Sequence, residues 1–160
     1  MDAYLHLIDS LEIMEGQAPH TVCVLQPTSP LRTAADIDNA VECFVSSGAN
    51  AVISVSEAKP SAWLHTIDEN GRMHRAVETD QTLRNRQDHT PVYMPNGAIY
   101  VFDVAFARET GSPYGENVHA YVMPPERSVD IDTEADFVAA EALHSLGYED
   151  DHVRRLHRAV

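Results

Sequence analysis

Asp130 and Asp132 stand one residue apart in the stretch Ser128-Val129-Asp130-Ile131-Asp132-Thr133-Glu134-Ala135-Asp136-Phe137, immediately before an expected helix. In an extended strand, residues i and i+2 point to the same side, so the two carboxylates can converge on one cation. Val129 and Ile131 would then face a core, and Thr133 with Asp136 reads as a helix N-cap and its capping-box partner. Paired carboxylate oxygens suit a hard divalent cation such as Mg²⁺, which one or two carboxylates hold while phosphate oxygens fill other positions. Chemistry on phosphate is the function class that follows, and Asp132, nearer the helix, is expected to carry the larger share. The alternative is that both acids only cap the helix and meet its dipole.

A second polar group follows the run Thr21-Val22-Cys23-Val24-Leu25, which is continuous, apolar and β-prone, as in a parallel strand covered on both faces. Gln26, Thr28 and Ser29 come directly after it and form a polar rim at a strand end, where open α/β sheets bind ligands. The competing reading is that Pro27 and Pro30 only stiffen a turn.

The elements that must position these residues alternate along the chain. Tyr4, Leu7, Ile8 and Leu11 fall at helical spacing within residues 3–14, ended by Gly16. A second helix runs from Ala34 to Ser47, capped by Thr33 with Asp36 and burying Ile37, Ala40, Val41 and Phe44. A strand from Ala51 to Ser56 follows, and the alternation predicts an α/β sheet. Residues 57–95 break the rhythm with Pro60, a hairpin at Asp68-Glu69-Asn70-Gly71 and a polar stretch from Glu78 to Thr90, and read as an insertion. Asn96 to Phe102 resumes as a strand, 103–109 reads as helix and Gly111 to Asn117 as loop. Ala120 to Met123 and Ser128 to Asp132 read as extended, and Thr133 to Leu146 is the last helix. The tail from Tyr148 is charged and is expected to fray.

The 160 residues, 44% hydrophobic and 22% charged, suffice for one well-buried domain over 1–160. A formal charge of −14 argues against nucleic acid or an anionic membrane as partner, since both would repel the chain. No run has the roughly 18 apolar residues of a membrane span, and Met1-Asp2-Ala3-Tyr4 lacks a basic leader, so a cytoplasmic location is expected. The nine histidines are scattered without ligand spacing. Cys23 and Cys43 read as buried thiols, not as a disulfide.

Gln26-Pro27-Thr28-Ser29-Pro30-Leu31-Arg32, Arg86-Gln87-Asp88, Pro95-Asn96-Gly97-Ala98-Ile99-Tyr100 and Ser128 to Glu134 occur in an order and spacing that resemble the acylneuraminate cytidylyltransferases, the CMP-sialic acid synthetases. The resemblance runs from about the first helix to Leu146. It implies an α/β, nucleotidyltransferase-like (Rossmann-like) three-layer sandwich with an inserted dimerisation arm, placed here at 59–94, and a homodimer. It further implies a Mg²⁺-dependent reaction in which the hydroxyl of a nonulosonic (sialic-type) acid attacks CTP, giving a CMP-sugar and pyrophosphate. Asp130 and Asp132 match the family's metal-site aspartates, and Gln26, Thr28 and Ser29 would line the nucleotide and sugar pocket. Arg86 and Gln87 lie where the family sets an arginine and an amide beside the acidic sugar, a task that suits a planar, permanently charged guanidinium. Without the resemblance, Arg84-Asn85-Arg86 would read as a solvated surface run. Asn96 and Gly97 would bring amide and backbone close to the sugar, with Tyr100 beside them.

Two features depart from the family pattern. No Gly-rich, Lys/Arg-containing loop of the kind that wraps the CTP phosphates occurs, so the fold is expected to be N-terminally truncated, with sheet edges exposed and negligible turnover by these residues alone. A non-catalytic remnant or assembly subunit of the family is the alternative function. At Lys59-Pro60-Ser61-Ala62-Trp63, apolar residues follow the proline where sialic-acid-specific relatives often carry a basic one, which leaves the choice among nonulosonic acids open.

Overall fold

The computed structural model describes residues 1–77 and 90–147. The polar stretch from Glu78, with Arg86 and Gln87, and the tail from Tyr148 lie outside the described residues. The chain divides into two units, Met1–Ser56 with Pro95–Val160 and Glu57–Met94. Among the described residues no helix is long and apolar enough to cross a membrane.

The first unit holds a four-stranded sheet in the order β1-β5-β2-β6, with β1 at Thr21–Val24, β2 at Ala51–Glu57, β5 at Tyr93–Asp103 and β6 at Val118–Val122. β1 runs antiparallel to β5, Cys23 opposite Val101, while β2 runs parallel to β6, Ile53 opposite Ala120. The fold class is therefore α/β with a mixed sheet. Alternate strand residues enter two core clusters, as the two-residue period of a strand requires. Val52, Ile99 and Val101 pack with Ala40, Ile37 and Phe44 of α2 (Ala34–Ser47). Ala51, Tyr100 and Phe102 pack with Leu5 and Ile8 of α1 (Asp2–Glu15) and with Val104 and Ala107 of α3 (Val104–Thr110). The last helix, α4, covers Glu134–Ser145.

The cap signals are realised. Thr33 and Asp36 form a reciprocal capping box on α2, and Thr133 and Asp136 form one on α4. α1 stops at Gly16, whose φ of 77° lies in the left-handed region that favours glycine.

Four expectations need correction. β1 is not a parallel strand covered on both faces. It is an antiparallel edge strand whose Thr21 and Cys23 are exposed while Val22 and Val24 are half-buried. A continuous apolar run does not distinguish one covered face from two. For the same reason Cys23 is exposed; Cys43 is half-buried, and both thiols are free. Ser128 to Asp132 is not a strand. The Ile131 N–H donates to the Thr28 carbonyl at 2.8 Å, but the Asp132 N–H turns to the Asp136 carboxylate at 3.3 Å, so the helix cap captures the backbone that a ladder would need. Finally, Leu7 and Leu11 on α1 and Val41 on α2 are exposed, because Leu5 with Ile8 and Ile37, Ala40 and Phe44 are the residues of those helices that meet the core.

In the second unit, β3 (His65–Ile67) and β4 (Met73–Arg75) form an antiparallel hairpin, with Ile67 opposite Met73. Its turn is the expected Asp68 to Gly71 segment. Asp68 accepts from the Asn70 and Arg72 N–H groups, each at 2.9 Å, which is the local bonding that makes aspartate a turn former. The His74 ring lies 3.2 Å from the same carboxylate. The two Arg72 and Asn70 bonds, with His74, hold the Asp68 carboxyl below its ordinary range.

Candidate active site

The polar loop after β1, the start of the buried half of β5 and the segment before α4 meet at Gly97. Its φ is 74°, and a Cβ built there would lie 2.7 Å from Gln26 Oε1, 3.0 Å from Ser29 Oγ and 3.2 Å from Asp130 Oδ2. No other residue type fits this backbone and this crowding together. Glycine thus lets three oxygens from separated parts of the chain converge over one patch of backbone.

The loop that carries Gln26 and Ser29 is braced from within. Arg32 donates through Nη1 to the Gln26 carbonyl at 2.6 Å and to the Ser29 carbonyl at 2.7 Å, which closes the proline-stiffened loop. Ser29 is fully buried and its hydroxyl donates to the Asn96 carbonyl at 3.0 Å. With its proton committed, the hydroxyl faces Gly97 as an acceptor. Asp130 is half-buried, and its Oδ1 is buried with no hydrogen-bond partner. Such atoms are uncommon in native structures and call for an explanation.

Tyr100, three residues beyond Gly97 along β5, is half-buried. Its phenol is pushed up to about 12, first by burial, then by Tyr114 through charge and a hydrogen bond, with Tyr4 and the Asp130 carboxylate adding to it. It therefore stays protonated as a donor across the physiological range.

Of the residues singled out from sequence, Gln26, Ser29, Gly97 and Asp130 come together, and Tyr100 lies within the electrostatic reach of Asp130. Thr28 is exposed and meets this group through its carbonyl, which accepts from Ile131. Asn96 is buried, and its side chain is taken up by protein partners. Asp132 is exposed beside the α4 cap, and the segment that carries both aspartates is not a strand. Arg86 and Gln87 are outside the described residues. Among the described residues no cluster of three or more His, Cys, Asp or Glu side chains forms a metal centre.

Sequence reasoning passed over several supporting residues. Ser54 sits fully buried in an otherwise apolar strand, and that single hydroxyl in Ala51-Val52-Ile53-Ser54-Val55 was the available signal. Ser128 belongs to the acidic motif but was not assigned a role. The Asp36–Arg127 pair, at 2.8 Å and buried, left no spacing signal because 91 residues separate its members.

No family model matches the chain. It is 36% identical over 126 residues to the N-acylneuraminate cytidylyltransferase of Streptococcus agalactiae, a match covering 78% of this chain and 29% of that protein. It is 36% identical over 132 residues to the CMP-N,N'-diacetyllegionaminic acid synthase of Legionella pneumophila, covering 81% of this chain and 56% of the relative. The chain belongs to the N-acylneuraminate cytidylyltransferase family. The Escherichia coli N-acylneuraminate cytidylyltransferase is 33% identical over 119 residues, 73% of this chain and 28% of that protein. The chain thus spans between about a quarter and somewhat over half the length of these curated cytidylyltransferase relatives.

Proposed function

We propose that this chain acts in CMP-sugar synthesis, transferring CMP from CTP to a nonulosonic acid with release of pyrophosphate. The observation that carries the reading is the convergence of Gln26, Ser29 and Asp130 oxygens on Gly97, in a chain related to cytidylyltransferases. In the reaction a sugar hydroxyl forms a P–O bond to the α-phosphorus of CTP, the bond to the β-phosphate oxygen breaks, and the hydroxyl proton leaves. Catalysis of this kind rests on orientation and on electrostatic relief of phosphate charge.

The donor set fits a hard divalent cation. Asp130 has a buried, unpaired carboxylate oxygen, and Asp132 offers an exposed second carboxylate nearby in sequence. Mg²⁺ is characteristically held by one or two carboxylates with substrate phosphates and water completing the shell. Asp130 and Asp132 would hold it, and when bound it supplies neutralisation of phosphate charge. Gln26 Oε1 would accept from hydroxyl donors of the acidic sugar, the buried Ser29 hydroxyl would support that loop from beneath, and Tyr100 lies within the electrostatic reach of Asp130. Thr28 lines the exposed rim, and Arg86 with Gln87 would meet the sugar carboxylate.

The nucleotidyltransferase-like three-layer arrangement belongs to this reading, supported by apolar clusters joining α2 to one set of strand residues and α1 with α3 to the other. So does the homodimer. Residues 59–94 would be the arm, and exposed Leu64, Ile67 and Met73 around the hairpin supply apolar surface for it. The relatives are named for acylneuraminate and for N,N'-diacetyllegionaminate, so the substrate is proposed at the level of the nonulosonic acids.

The test is product analysis by mass spectrometry after incubation with CTP, Mg²⁺ and either N-acetylneuraminate or N,N'-diacetyllegionaminate. A trace of CMP-sugar is expected from at least one, and the same mixtures without product from either would overturn the reading. A second reading is a non-catalytic subunit of the same family. It predicts Mn²⁺ binding without product.

A further inference from the structure

We propose that Asn96 is a positioning residue that mounts the Asp130 segment, and that its side chain makes no contact with substrate. The proposal rests on the reading of Asp130 as the metal-holding carboxylate, and it assigns the buried network beneath that carboxylate.

Asn96 is 4% exposed and its amide is fully engaged. Its Oδ1 accepts from the Ser54 hydroxyl at 2.6 Å and from the Ala98 N–H at 3.2 Å. Its Nδ2 donates to Ser128 Oγ at 2.9 Å and approaches Met123 Sδ at 3.5 Å. The hydroxyl protons on either side are directed, because the Ala98 N–H marks Oδ1 as the acceptor that Ser54 must meet with its proton, and Ser128 spends its proton on the Pro124 carbonyl at 2.8 Å. Each hydroxyl therefore has one role to give Asn96, donor from Ser54 and acceptor at Ser128. Only an amide meets both at once. An aspartate would set an acceptor against Ser128, and an apolar residue would leave the Ser54 proton without its acceptor and Ser128 without the amide that donates to it.

The backbone of the same residue completes the link, since the Asn96 carbonyl receives the Ser29 hydroxyl. One residue thus ties β2 through Ser54, the polar loop through Ser29 and the segment leading to Asp130 through Ser128. Asp130 has one buried oxygen unpaired and is two residues from Ser128. Its placement depends on the Asn96–Ser128 bond and on the Ile131–Thr28 backbone bond that brackets it.

Two measurements test this on the whole chain in wild type, Asn96→Ser, Ser128→Ala and the remote core control Ile8→Val. Amide exchange at Ile131 should quicken on the order of tenfold or more in the first two variants and not in Ile8→Val. Mn²⁺ affinity, followed by electron paramagnetic resonance, should fall by about the same factor in the same two. Unchanged exchange at Ile131 in both network variants, or equal quickening in Ile8→Val, would overturn the proposal. So would unchanged Mn²⁺ affinity in both where the wild type binds the ion. If wild type binds no Mn²⁺ but the exchange pattern holds, the positioning stands and the metal reading of Asp130 fails.

Discussion

Gly97 and Asp130 set the terms of the site at the scale of single residues. A Cβ at position 97 would meet three side-chain oxygens in a backbone conformation that L-residues rarely adopt. Gly97→Ala should therefore lower stability by more than about 1 kcal/mol, since the φ penalty and the collision add. Urea unfolding checks this, and an unchanged midpoint would mean that the loop of Gln26 and Ser29 yields freely. Tyr100 gives a second prediction. Its folded phenol, pushed up to about 12, ionises later than an unfolded tyrosine at about 10. The folded state thus holds the proton more tightly, and this contribution is present below about pH 10 and declines as pH rises from there towards 12. Tyrosinate absorbance of wild type minus Tyr100→Phe should place this late titration. An ordinary value in the difference curve would remove Tyr100 from the buried site.

At the scale of elements, the Asp36–Arg127 pair joins the first turn of α2 to the turn Pro125–Arg127 that precedes the Asp130 segment. Burial alone would raise the Asp36 carboxyl. Hydrogen bonds from Arg127 and Thr33 more than offset it, and the group lies below its ordinary range. A carboxylate depressed in the fold contributes stability above its unfolded value near 4, and this is lost as pH falls through the folded value. Arg127→Met should cost about 3–5 kcal/mol at neutral pH, because it leaves Asp36 buried without its cation. Recovery of part of that loss as pH falls and Asp36 takes up a proton is the accompanying signature in acid unfolding curves. A cost that is small and independent of pH would show that Tyr121, whose hydroxyl donates to Asp36 at 3.1 Å, already suffices. The elements themselves were legible where a local rule decides them, as in the capping boxes at Thr33 and Thr133 and the stop at Gly16. The edge position of β1 and the loss of strand character at 128–132 were not, because both depend on which distant backbone is there to pair. In the site, Gln26, Ser29, Gly97 and Asp130 are motif residues that come together, while the buried partners of Asn96 left no signal because Ser54 and Ser128 reach it across 42 and 32 residues.

At the scale of the whole molecule, a net charge of −14 makes an anionic substrate such as CTP dependent on local neutralisation, and so on the carboxylate-bound cation proposed above. Self-association is expected to run through residues 59–94, where the hairpin exposes Ile67 and Met73. Light scattering on the Ile67→Glu, Met73→Glu double variant should give a monomer, and an unchanged larger species would place the interface elsewhere. The central claim is that Asp130 serves nucleotidyl transfer. Sequence spacing favoured Asp132, but burial and the unpaired oxygen move the weight to Asp130. The direct measurement is pyrophosphate release from CTP with Mg²⁺ and a nonulosonic acid, in wild type, Asp130→Asn and Asp132→Asn. Wild-type release, however slow, should fall by on the order of a hundredfold or more in Asp130→Asn and by less in Asp132→Asn, with melting temperatures nearly unchanged. A wild-type rate equal to that of Asp130→Asn, zero included, would contradict the account.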